Sequence, residues 1–308
     1  MYNIFDGGFM GVLNIINSCK SEQQLYKFIR YRLEKCIQMG EEANEGLKFI
    51  GDNVDINPNI PLDNSDGNYD INVYWDGFIP PDVRIVYGVL YPLACNGGYY
   101  YYMDDYDYII EFVKYIKCVK ISKESDIIAY VHQFLRNYYI KPLEENRREF
   151  VFALICNSNG WYYPPTKERS IGDFKGRSLA RCTEFAATAQ NIMSFMGLDT
   201  FYIHDRDHSY NVVSFKGEKP AIVDYSKGVL CENLITKSRK VLPYIYDLEE
   251  EPSEFVRKIS ESDYRIECNE YAVYIEGNMY FQQKFKKTRS YGAGGITPQD
   301  KKVLSNMR

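Results

Sequence analysis

The chain contains no C-x-x-C pair, no tight grouping of cysteine with histidine, and no uninterrupted apolar run near the roughly 20 residues a membrane span needs. Its eight cysteines, at 19, 36, 95, 118, 156, 182, 231 and 268, are scattered singly, which excludes zinc-ribbon, redox-pair and disulfide-framework designs. A reducing compartment is the simplest inference. The first twenty residues, MYNIFDGGFMGVLNIINSCK, lack a basic stretch before an apolar core, so no secretory leader is expected there and a cytoplasmic location follows as an expectation. No period of 20 to 50 residues repeats, which sets solenoids and propellers aside. Net positive charge is also lacking: the formal charge is −5, so a nucleic-acid partner is not expected.

What is present is a chain of 308 residues, long enough to bury a core without covalent staples, with 16% aromatics, 29 of them tyrosine and only two tryptophan. Charge is placed unevenly. Residues 284–308 hold seven Lys or Arg against Asp300 alone, with the glycine-rich GAGG at 292–295, and read as an exposed basic arm suited to an acidic partner or as a solvated terminus.

Three regions follow: an N-terminal helical and strand/loop elaboration over 1–103, a catalytic-type domain over 104–283, and the basic tail. Leu25, Phe28, Ile29, Leu33 and Ile37 recur at helical intervals, with Gly40 and Gly46 as expected breaks. Between 51 and 102, prolines and Asp-Gly steps alternate with β-branched runs, predicting loops and short strands. Four tyrosines at 99–102 suggest a stacking platform, but neighbours on a strand point to opposite faces, so a half-buried strand is the better reading. Ile109, Phe112, Val113 and Ile116 predict a helix over 105–120, and a second helix follows with Ser122 or Ser125 as its cap. His132 lies in that second helix at a packing position. Residues 144–158 predict a further helix, and 159–176 read as loop.

The chemistry concentrates after residue 176. In GRSLARCTEFAATAQN a Gly- and Ser-bearing loop runs into a helix whose Phe185, Ala189, Ile192, Met193 and Met196 form one apolar stripe, ended by Gly197. Alanines at 186, 187 and 189 suit a buried, central helix. Cys182 falls at its start, where unpaired N–H groups and the positive dipole end favour a thiolate. Past Gly197, LDTFYIHDRDHSYNVVSF predicts a strand, a polar turn and a second strand on which His208, Tyr210, Val212 and Ser214 share a face. AIVDYS at 221–226 predicts a third strand, with Asp224 near its end, beside the start of the second strand. Thiolate, base and orienting acid are what nucleophilic catalysis requires.

ARCTEFA, HSYNVV and AIVDYS together resemble the transglutaminase-like superfamily of papain-like cysteine enzymes, over about 124–230. The resemblance implies an α+β fold with a papain-like core in which a catalytic helix packs on an antiparallel sheet. It implies Cys182 as nucleophile, His208 as base and later acid, and Asp224 as the orienting carboxylate. A cysteine acyl-transfer enzyme acting on protein or peptide amides follows, as peptidase, deamidase or transamidase, with no cofactor and no metal. Family enzymes often use an upstream aromatic or glutamine as second oxyanion donor; Trp161, Tyr162 and Tyr163 are available, without a clear match. Trp161 and Tyr162, with Glu184 and Asn211, are candidate substrate contacts, and the latter two suit structural roles equally. No calcium-binding motif is evident, so calcium activation is not inherited.

Two competing readings stand beside this one. The cluster HDRDH (204–208) offers His204 and three neighbours as metal ligands, but ligands packed into five residues are usually a solvated turn. The alternative in function is a non-catalytic interaction module on the same scaffold. Arg177 and Arg181 flank the thiol and suit salt bridges better than an acidic substrate group.

Overall fold

Ser21 opens the first long helical period, and the local chemistry there fixes a helix start. Gln24 N–H donates to Ser21 Oγ at 3.2 Å and Lys20 N–H donates to Gln24 Oε1 at 2.9 Å, a reciprocal cap. In the computed structural model, which describes residues 8–44, 73–81, 83–86, 89–92, 101–102, 106–139, 169–171, 175–176, 180, 182–205, 208–233, 239–248, 250–255, 272–275 and 278–281, this is helix α2 (Glu22–Ala43). It follows α1 (Gly8–Ser18), whose Phe9, Val12, Leu13 and Ile16 are buried at helical spacing. Gly40 does not break α2, contrary to the sequence expectation. A Cβ there would lie far inside van der Waals contact with the Phe78 carbonyl oxygen, so the glycine serves close packing. Gly46 lies outside the described residues.

Helix α3 (Asp107–Ile116) buries Ile109, Phe112, Val113 and Ile116, as its period predicts. Helix α4 (Ile127–Tyr139) follows a single 3₁₀ turn at Glu124–Asp126. The expected serine caps are replaced by an acid. Ser122 Oγ–H and Lys123 N–H both donate to Asp126 Oδ2 at 3.2 Å, while Ser125 Oγ–H reaches Glu218 Oε2 at 2.9 Å. The helix expected over 144–158 and the basic arm lie outside the described residues, as do Tyr99 and Tyr100.

Helix α5 (Cys182–Met196) is buried on every side from Thr183 through Met193, which makes it central rather than merely amphipathic. Gly197, with φ +88°, ends it: Leu198 N–H donates to Met193 O at 3.1 Å and Gly197 N–H to Ser194 O at 3.0 Å, the paired bonds of a left-handed C-terminal cap.

Strands β1 (Val73–Asp76), β6 (Asp199–Asp205), β7 (His208–Ser214), β8 (Ala221–Asn233), β9 (Arg239–Asp247), β10 (Ala272–Ile275) and β11 (Asn278–Phe281) form one antiparallel sheet. Its order is β1-β6-β7-β8-β11-β10, with β9 also paired to β8. Strands β2 (Val83–Val86), β3 (Val89–Pro92), β4 (Tyr101–Tyr102) and β5 (Arg169–Ser170) form a second, small sheet in the order β3-β2-β4-β5. Asp205 pairs with His208 where β6 meets β7, and the hairpin expected between 208–215 and 221–226 is present, with Asn211, Val212 and Val213 opposite Val223, Ile222 and Ala221. The third expected strand runs to Asn233, well past Ser226, with a register shift between Asp224 and Val229.

The fold is therefore α+β, with α5 lying against β6, β7 and β8. The sheet separates two apolar regions. Tyr202, Val213, Ala221, Val223, Tyr225 and Ile245 pack in the core that contains α5 and the other helices. Ile203, Tyr210, Val212, Ile222, Tyr246, Leu248 and Phe255 form a second cluster on the opposite face. Among the described residues before 104, β1 pairs with β6, and α1 and α2 both contact α5. No helix of the described residues is long and apolar enough to cross a membrane.

Candidate active site

Cys182 is the first residue of α5, where the sequence places it. The first-turn N–H groups of a helix have no intrahelical acceptor, and the dipole adds partial positive charge beside the sulfur. Four described cysteines are free thiols and differ in surroundings. Cys36 is buried, and burial pushes its thiol up to about 11, partly offset by Arg32. Cys118 is exposed, and Cys19 and Cys182 are half-buried. Cys182 alone among these four stands at a helix start.

The start of α5 is held to the sheet by hydroxyls. Thr183 Oγ1 lies 3.3 Å from Ser209 Oγ, and Ser209 Oγ lies 2.9 Å from the Tyr202 hydroxyl. Thr183 Oγ1 is also 4.0 Å from Cys182 Sγ. Tyr202 is fully buried, and burial raises its phenol above the ordinary tyrosine range. His208 is the first residue of β7, so the Thr183–Ser209 contact brings the chain beside His208 against the residue beside Cys182. The side chains of 204–208, and with them the imidazoles of His204 and His208, lie outside the described residues.

Asp224 is 2% exposed and sits fourth in β8, not near the end of a strand. Its Oδ1 accepts from Ser226 N–H at 3.0 Å and from Ser226 Oγ–H at 2.6 Å. Alternation decides its face. Val223 and Tyr225 belong to the helix-side core, and the Tyr225 hydroxyl donates to Met193 Sδ of α5 at 3.1 Å. Asp224 therefore takes the other face, opposite Tyr244, whose ring stacks with Tyr246 at 6.4 Å. Asn211 faces Val223, so one further step of the register sets Asp224 beside Tyr210, two residues from His208. The structure thus brings the starts of α5 and β7 together, and puts Asp224 close to β7 along the sheet but on the face away from α5.

Glu184 is buried in the first turn of α5. Asn211 is fully buried, and its Nδ2 donates to Ala186 O and to Gln190 Oε1, both at 3.0 Å. Its amide therefore fastens β7 to α5, one of the two roles its sequence context allowed. Trp161, Tyr162 and Tyr163 lie outside the described residues, as do Arg177 and Arg181. His132 is fully buried on α4, the packing position its spacing suggests. Among the described residues no group of three or more His, Cys, Asp or Glu is placed to hold a metal ion.

Thr183, Tyr202 and Ser209 escaped the sequence reading. The signal was parity: Ser209 lies on the β7 face opposite that of Tyr210 and Val212, the face that meets a helix. No family model, curated protein or solved structure matches the chain.

Proposed function

We propose that the protein is a cysteine acyl-transfer enzyme of transglutaminase-like type, built on a papain-like arrangement of helix and sheet, and acting on protein or peptide amides in a reducing, cytoplasmic setting. One observation carries the reading: Cys182, in no disulfide, opens a buried helix whose first turn is bonded to Ser209, the neighbour of His208. In this mechanism the Cys182 thiolate attacks the amide carbonyl carbon while the Cys182 N–H, at the helix start, supports the developing oxyanion. The C–N bond breaks as His208 passes the proton it took from the Cys182 thiol to the leaving amine. The thioester is then cleaved by water, giving an acid, or by an amine, giving a new amide. Asp224 would orient His208 from the neighbouring strand.

Peptide-mapped alkylation with iodoacetamide at pH 7 tests this. Cys182 should label about tenfold or more faster than Cys19 and Cys118, as a thiolate of lowered pKa does, and His208→Ala should remove most of that advantage. Equal rates for the three thiols, unchanged by His208→Ala, would sink the proposal.

A second reading has one observation in its favour: Asp224 lies on the sheet face away from α5, satisfied by Ser226, and the alternation of the sequence groups position 208 with Tyr210 and Val212 of that same face. On that reading the scaffold is a non-catalytic interaction module. Asp224→Asn separates the two, since loss of an orienting acid slows alkylation and adduct formation at Cys182, while a purely local cap on Ser226 leaves both unchanged.

A further inference from the structure

We propose that Tyr202, Ser209 and Thr183 form a hydroxyl relay ending on the Cys182 sulfur, and that these three are positioning residues which set the reactivity of the thiol. The inference rests on Cys182 being the nucleophile and deepens that reading. Each hydroxyl has one proton to donate and lone pairs to accept with, so a chain of three can run in either direction until one end is fixed. A thiolate carries no proton and only accepts. Thr183 Oγ1–H therefore turns toward Sγ, 4.0 Å away, Ser209 Oγ–H toward Thr183 at 3.3 Å, and Tyr202 Oη–H toward Ser209 at 2.9 Å.

Thr183 also hydrogen-bonds the Tyr202 phenol directly, and Glu184, the buried acid in the same first turn of α5, faces this cluster and opposes a second negative charge beside it. The far end suits the direction toward sulfur. Tyr202 is 0% exposed, Ser209 1% and Thr183 8%, so bulk water does not compete for the links, and a buried phenol keeps its proton across the working pH range. The relay also joins three separate elements, β6, β7 and α5. When the sulfur is protonated the hydroxyls are free to turn back; when it is ionised they align toward it. The arrangement is thus worth more to the thiolate than to the thiol, which is the condition for lowering a pKa.

The test is the pH profile of Cys182 alkylation in the full chain, read by peptide mapping with iodoacetamide from pH 5 to 10. Tyr202→Phe and Ser209→Ala should each move the midpoint upward by about one pH unit, roughly tenfold slower labelling below the midpoint, the scale of a lost hydrogen bond to a charged group. Ser209→Thr, which keeps a hydroxyl, should restore the wild-type profile. Near-UV circular dichroism identifies any variant that fails to fold, and the near-isosteric Tyr202→Phe and Thr183→Val then carry the measurement. A hydroxyl cluster that merely fastens helix to sheet would lower thermal stability and leave the midpoint in place; superposable profiles for folded variants overturn the relay. The premise fails separately, if wild-type Cys182 labels no faster than exposed Cys118.

Discussion

The two ends of α5 are built by different rules. Beyond its middle, side-chain amides hold a segment of backbone as a strand would. Asn191 accepts from Ile79 N–H at 2.6 Å through Oδ1 and donates through Nδ2 to Ile79 O at 3.1 Å and to the Tyr108 hydroxyl at 2.9 Å. Gln190 Nε2 donates to Gly77 O and Thr200 O, both at 2.6 Å. The buried Arg32 donates through Nε to Phe195 O and lies over the Phe195 ring, 5.6 Å from its centroid, putting positive charge where the helix dipole is negative. At the start of the helix the fastening is by hydroxyls, and the thiol is half-buried. One end is fixed by amides and a guanidinium, whose donor and acceptor atoms are distinct. The other is held by groups that can reorient, which is what a changing charge requires.

The largest expected effect comes from the fixed end. Asn191→Ala leaves both polar groups of Ile79 and the Tyr108 hydroxyl without their buried partner, and should cost about 4 kcal/mol in urea unfolding. Gly40→Ala should cost about 3 kcal/mol, because the new methyl meets the backbone of the same segment at Phe78, which Gln190 and Asn191 pin on both sides. Arg32→Met keeps the apolar stem and removes the charge at the helix C-terminus, and is expected to cost about 2 kcal/mol.

A smaller effect tests the segment's one mismatch. Burial, with Asp199 adding repulsion, pushes Asp76 up to about 6. A folded carboxyl that holds its proton more tightly than the unfolded chain contributes stability that is full below about pH 4 and lost as pH rises to about 6. Asp76→Asn should therefore raise the thermal midpoint at pH 7 by about 1–2 °C, a value discounted for partial solvent exposure, and the gain should vanish toward pH 4. At the opposite end, Cys182→Ala should change stability by less than about 0.5 kcal/mol. A Cys182→Ala cost as large as that of Arg32→Met would erase the distinction between the two ends.

Helix α5 and the strands that follow it are legible in the sequence because their periods are unbroken: Phe185 to Met196 keep a helical stripe, and residues 199–214 alternate around a polar turn. Helix α1 carries an equally clear period in Phe9, Val12, Leu13 and Ile16. Gly40 reads as a helix break in the sequence for a physical reason. The residue it makes room for, Phe78, comes from a stretch without pattern, and a close approach between distant segments leaves no local signature. The position of Cys182 follows from its own neighbours. The face of Asp224 does not: alternation groups it with Ile222, but which group a helix will cover is decided by the whole sheet.

The pairing of β1 with β6 has a consequence for synthesis. Asp76 and Phe201 stand opposite each other, and their strands are separated by roughly 120 residues of chain, a long-range closure of the slow-folding kind. At translation speeds of about 5–20 residues per second, β1 waits roughly 6–24 seconds for its partner to be made. Over that interval the apolar faces of α1 and α2 also lack α5, their common neighbour, so chaperone occupancy of a nascent chain should be highest before residue 199 emerges and fall once the β6–β7 hairpin is complete.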